Sequence, residues 1–121
     1  MSASQQSEIL EFGPVTVLRP GANFASLYEN DLDDAGVRVE LAAALPSPRL
    51  VVDLRHVRFI GSAFLGRCVA IHKLLQTRPG GRFAICGLNA YAGTAVTVAK
   101  LDQVLELYGS SEEAVAALGD G

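Results

Sequence analysis

The residues able to do chemistry in this chain gather in one segment, Arg49-Leu-Val-Val-Asp-Leu-Arg-His-Val-Arg-Phe-Ile-Gly-Ser-Ala-Phe-Leu-Gly66. It has the pattern of a buried strand, a loop holding Arg55, His56 and Arg58, and a hydroxyl, Ser62, placed where a helix begins. A serine in that position has two roles open to it. As an N-cap its hydroxyl accepts from a backbone N–H of the first turn, worth about 1 kcal/mol. As a phosphoacceptor it would hold a phosphate near unpaired N–H groups and the positive end of the helix dipole. The added charge of roughly −1.5 to −2 would repel a partner shaped for the bare hydroxyl.

The other polar candidates offer less. Asp53 sits inside an apolar run and is expected to end the strand or cap the turn that follows. His56 is a loop residue, solvated or lining a partner surface, and His72 falls among the apolar positions of its helix, where a packed ring with a satisfied nitrogen is expected. Cys68 and Cys86 lie in a helix and a strand, which suits buried reduced thiols better than a disulfide. Two His and two Cys spread along the chain give no metal-ligand spacing. There is no nucleophile–base pair, no paired carboxylates, no phosphate-binding glycine loop and no cofactor signature. The expectation is a protein that works by binding, without metal, cofactor or catalysis of its own.

These residues need a framework. Half of the 121 residues are hydrophobic and 19% are charged, the balance of one folded domain. Residues 1–7 are expected to form a flexible tail and 8–121 a single domain. The formal net charge of −3, with no basic cluster along the chain, argues against nucleic acid. The polar start lacks signal-peptide features, and no apolar run approaches the ~18 residues of a membrane span. A cytoplasmic protein with no membrane partner is expected.

The pattern predicts strands at 8–12 and 15–19 around Gly13-Pro14, then helical spacing from about Leu27 to Leu45, starting near Asp31 or after Gly36 and stopped by Pro46 and Pro48. Leu50–Leu54 is apolar throughout, as in a strand buried on both faces. Ser62–Thr77 has helical period, with Phe64, Leu65, Cys68, Val69, Ile71 and Leu75 on one face. Arg82–Cys86 is the next strand; Asn89 caps a helix from Ala90 to Lys100; Val104–Tyr108 is the last strand. Ser110 or Ser111 caps a final helix whose first turn holds Glu112 and Glu113. The alternation implies an α/β fold, a small mixed and largely parallel sheet with helices packed against it.

Val51-Val-Asp-Leu-Arg-His-Val-Arg-Phe-Ile-Gly-Ser62, the apolar helix after it, Gly80-Gly-Arg-Phe-Ala-Ile-Cys86 and Lys100-Leu-Asp-Gln-Val-Leu105 together resemble a STAS domain, the family of sulfate-transporter and anti-sigma-factor-antagonist domains. The resemblance runs from about Val15 to Leu118. In the antagonists the loop reads Asp-Ser-Ser-Gly or Asp-Ser-Thr-Gly followed by Leu-Gly, and a serine-kinase anti-sigma factor phosphorylates the first hydroxyl. Here the run is Gly61-Ser-Ala-Phe-Leu-Gly66, so Ser62 takes the phosphoacceptor position and Leu65-Gly66 match, while Gly61, Ala63 and Phe64 depart. The resemblance implies a signal-transduction module regulating transcription, with a kinase partner that supplies ATP and Mg. The partner surface would comprise His56, Arg58, Gly61, Ala63, Phe64 and Arg67; an exposed Phe64 would be an anchor and a buried one would pack under the loop. Two alternatives stand beside it. One is a constitutive assembly scaffold with a structural Ser62, favoured by the departures and by the nearly uncharged Ala90–Lys100 helix, which is either a self-association face or covered by the C-terminal segment. The other is a sensor holding an anion or nucleotide at the helix start.

Overall fold

The computed structural model describes residues 7–120; apart from Ser7, the expected tail lies outside the described residues. β1 (Glu8–Phe12) and β2 (Val15–Arg19) form an antiparallel hairpin. Gly13, at φ 61°, takes the left-handed first position that a primed two-residue turn requires. β4 (Arg49–Asp53), β6 (Arg82–Cys86) and β7 (Glu106–Tyr108) then add in parallel, giving the order β1-β2-β4-β6-β7. The fold is α/β with a mixed, mostly parallel sheet, as the alternation of elements implies.

β4 sits between β2 and β6 and is buried on both faces. Leu50 and Val52 point with Leu18, Phe83 and Ile85 into the larger core, whereas Val51 points with Val15, Val17 and Ala84 into a smaller one on the opposite face. α1 (Val39–Ala44) and α2 (Ser62–Gln76) cover the larger core, with Phe64, Cys68, Ile71 and Leu75 of α2 buried at helical spacing. α4 (Ser111–Asp120) closes the smaller core with Ala114 and Leu118. The carbonyls of its last turn accept from strand arginines, Leu118 from Arg49 and Ala117 from Arg82 at 3.0 Å.

The structure departs from the expected helix over Leu27–Leu45. Only Val39–Ala44 is α-helical; before it come a 3-10 turn at Glu29–Asp31 and a further turn that ends at Gly36. The Gly36 N–H bonds the Asp33 carbonyl and the Val37 N–H the Leu32 carbonyl, the paired bonds of a helix-ending motif that needs a left-handed residue; Gly36 has φ 86°. Leu32 and Val37 are nonetheless fully buried, which is why their spacing predicts a helix; Ala35 is buried with them. Two short strands were not anticipated: β3 (Ser26–Leu27) and β5 (Phe59–Ile60) pair in parallel as a separate ladder. α3 (Ala90–Val98) starts as expected, its Asn89 cap accepting from the Ala92 N–H at 2.8 Å, and a 3-10 turn at Leu101–Gln103 shortens the last strand.

Candidate functional site

The site begins where β4 ends. The Asp53 carboxylate is buried, and its Oδ2 accepts from Arg19 Nε and Arg55 Nε, both at 2.9 Å. Its Oδ1 accepts from the Arg55 backbone N–H at 3.1 Å, so Asp53 caps the turn after the strand. Arg55 also donates to Ser111 Oγ at 2.9 Å, tying the loop to the start of α4. With two guanidinium partners and a backbone donor, this carboxylate is a structural clasp.

Beyond it, the ladder of β3 and β5 aims the chain into α2. Ala25 O accepts from the N–H groups of Arg58 and Phe59, and Leu27 O from the Gly61 N–H at 2.9 Å. Gly61 thereby takes the extended backbone of the N-cap, φ −97° and ψ 174°, and has no side chain to cap with. A Cβ there would lie 3.0 Å from Cδ1 of the Tyr28 ring, so the glycine lets that ring lie against the loop. Ser62 is the first helical residue, one position past the cap. Its expected role as the cap is corrected for that reason: the hydroxyl is exposed and caps nothing.

The remaining sequence candidates separate. Phe64 is 0% exposed within the larger core, so of its two expected placements it packs beneath the loop and offers no anchor. Arg67 is already engaged, with Nη1 2.8 Å from Asp33 Oδ1 and donating to Val37 O at 2.6 Å; it braces the segment before α1. Ala63 is half-buried beside Ser62. His56 and Arg58 stand together on a cavity lined also by Ala22, Ala25, Arg55, Val57, Gly87 and Asn89.

Three aromatic residues that the sequence did not single out surround this loop. Tyr28 is 52% exposed, Phe59 45% and Tyr91 72%, and the Phe59 and Tyr91 rings pack with centroids 5.6 Å apart. α3 buries Ala92 and Val96 but leaves Tyr91 and Val98 facing solvent, and α4 lies on the smaller core, so α3 is not covered by the C-terminal segment. The clue available in the sequence was the near absence of charge on α3.

Cys68 and Cys86 are free and buried. Burial pushes both thiols up, Cys86 to about 12 with a further contribution from Asp53, so neither supplies a thiolate near neutral pH. His72 packs on α2, but its Nδ1 lacks the hydrogen-bond partner expected of it. Among the described residues no group of three His, Cys, Asp or Glu is placed to hold a metal, and no helix is long and apolar enough to cross a membrane.

No family profile and no curated protein matches the chain by sequence. Solved structures do. An anti-sigma-factor antagonist (STAS) domain protein from Planctomyces limnophilus superposes with a TM-score of 0.81 at 27% identity, covering 93% of this chain and 97% of that one. The chain has the STAS fold. An anti-sigma factor antagonist from Mycobacterium paratuberculosis gives a TM-score of 0.78 at 21% identity, covering 98% of each chain. A putative anti-sigma factor antagonist from Thermotoga maritima gives 0.73 at 19% identity, covering 97% and 98%. In this STAS fold the β4–α2 loop presents an exposed hydroxyl between a buried carboxylate clasp and an aromatic rim.

Proposed function

We propose that this STAS domain is a cytoplasmic regulatory module of the anti-sigma-factor-antagonist kind. It binds a serine-kinase anti-sigma factor on the surface around Ser62 and is released when that kinase, with its own ATP and Mg, phosphorylates the hydroxyl. The observation that carries this reading is the state of Ser62: exposed, uncapped and at the first position of a 15-residue helix. Such a hydroxyl is accessible to a kinase, and a phosphate on it would meet first-turn N–H groups that no side chain caps. Gly61 and Ala63 keep the surface beside it low, while Tyr28 and Phe59 provide exposed rings of the kind that anchor interfaces. His56 and Arg58 would border this surface.

The test is incubation with ATP and kinases from the source cell extract, followed by phosphosite mapping with Ser62→Ala in parallel. Phosphate on Ser62, together with loss of kinase pull-down by Ser62→Asp but not by Ser62→Ala, is the expected result. An unmodified Ser62 under every condition rejects the switch. A constitutive assembly scaffold is the second reading, favoured by the exposure of Tyr91 and Val98 on α3. It requires self-association that Tyr91→Ser or Val98→Ser abolishes in light scattering.

A further inference from the structure

β1 ends the sheet, and among the described residues no strand pairs with its outer edge. The turn at Gly13-Pro14 closes on the pair Phe12 and Val15, so Phe12, Leu10 and Glu8 direct their backbone groups at β2. The N–H and C=O groups of Ile9 and Glu11 therefore point outward, open to another strand. α4 packs mainly on β2, β4, β6 and β7. Between it and β1 lies a groove of about 320 Å³, lined by Phe12, Arg19, Ser111, Glu112, Val115 and Ala116. Phe12 is exposed at its rim, and Ile9 is exposed on the opposite face of the strand.

We propose that β1 and this groove take up an extended segment of a partner protein in which apolar residues alternate with Lys or Arg. Main-chain bonds to Ile9 and Glu11 hold the added strand, and the groove receives its apolar side chains. Charge selects the partner. Glu8 and Glu11 stand on the strand, Glu112 lines the groove, and Glu113 is exposed beside it. The cation on this surface, Arg19, is already shared by Glu8 and Asp53. No Lys or Arg follows Lys100, so α4 adds acid and no base. A Lys or Arg set across from Glu11 would pair with its carboxylate, and one across from Ile9 would lay an aliphatic stem over that side chain.

A second copy of β1 is a poor partner, because it would bring two acidic strands edge to edge. Charged side chains on an edge strand are a usual guard against such pairing. That guard leaves a basic strand as the complementary one. A strand is favoured over a helix because a helix would leave the outward backbone groups of Ile9 and Glu11 without bonds. The groove lies on the α4 face of the sheet, whereas Ser62 starts α2 on the other face. Binding here leaves the Ser62 hydroxyl free, so this surface stands or falls independently of the switch.

The experiment is an amide NMR titration of the full chain with a synthetic peptide of about seven residues, lysine alternating with valine, a length typical of a strand. Saturable shifts are expected at residues 9–12 and 111–116, with a dissociation constant of about 0.1 mM or tighter. Hydrogen exchange at the Ile9 and Glu11 amides should slow on binding, which adhesion to the groove alone would not cause. A peptide alternating glutamate with valine should not bind. Glu11→Lys should weaken binding about tenfold or more. Ile9→Pro removes an outward N–H without touching a bond to β2, and should do the same. Glu40→Lys, on α1, changes the net charge equally and should leave binding as it was. The proposal is overturned by the absence of saturable shifts, by shifts that map elsewhere, by equal binding of the acidic peptide, by unslowed Ile9 and Glu11 amides, or by unchanged affinity in the folded Glu11→Lys variant. It is also overturned if those two amides are already protected in the free chain. Protection lost on dilution would then assign the edge to a second copy, and protection that persists would assign it to a segment of the chain itself.

Discussion

Two helices of this domain begin at a serine, and the two serines do opposite things. Ser110 stands before α4, and its Oγ accepts from the Glu113 N–H at 3.2 Å. Ser111 beside it is buried and receives a bond from Arg55. Glu112 and Glu113 complete a first turn suited to the helix dipole. At the start of α2 the cap is a glycine, the first turn holds no acid, and the serine lies exposed one residue further in. One start is closed by its own side chains, and the other leaves its donors and its hydroxyl open. The cap separates them: α4 has Ser110 there and α2 has Gly61, and at the next position Ser111 is buried and bonded where Ser62 is exposed.

The comparison can be broken or sharpened in order of expected effect. The open start depends on a firm base, so Phe64→Ala should cost about 3–5 kcal/mol in urea unfolding; a cost below about 1 kcal/mol would mean the loop is not held from beneath. Asp53→Ala should cost about 3 kcal/mol, toward the low end for a buried ion pair because Arg55 reaches solvent. The serines themselves should then diverge. Ser110→Ala should lose about 1 kcal/mol as a cap, whereas Ser62→Ala should stay within about 0.5 kcal/mol of the parent. Equal losses would erase the distinction.

The smallest effect is a response to acid. Glu112 is held below the usual carboxylate value by a hydrogen bond to its own backbone N–H, with Arg55 and the neighbouring serines adding to the effect. A lowered folded-state value means the stabilisation is complete above the ordinary value, about 4.3, and is lost as pH falls through the lowered one. Amide exchange should therefore show the start of α4 loosening below about pH 4, while the start of α2, which has no acid in its first turn, stays unchanged.

Much of the frame was legible because its signals are local. The β1–β2 hairpin, β4 and β6 each carry a continuous apolar or turn pattern within five residues or so, and the starts of α3 and α4 carry capping side chains. What failed was non-local or too short. β3 and β5 have two residues each, fewer than any period can mark, and exist because their backbones meet. The helical spacing before α1 came from burial of Leu32 and Val37 in a turn, which leaves the same apolar pattern as a helix. The register of Ser62 turned on a single residue, finer than boundary signals resolve. The rim of Tyr28, Phe59 and Tyr91 draws on three distant segments, and so does the cation-lined cavity; neither could be seen before the strand order was known.

The arrangement of α4 bears on how the molecule comes to exist. Among the described elements it alone supplies helical residues to the core formed by Val15, Val17, Val51 and Ala84, and it follows every strand in the chain. During synthesis the hairpin and the parallel strands emerge first, with one face of the sheet bare and with Arg49 and Arg82 still lacking the α4 carbonyls they later hold. Until α4 emerges and docks, that apolar face has no helix of this domain to cover it.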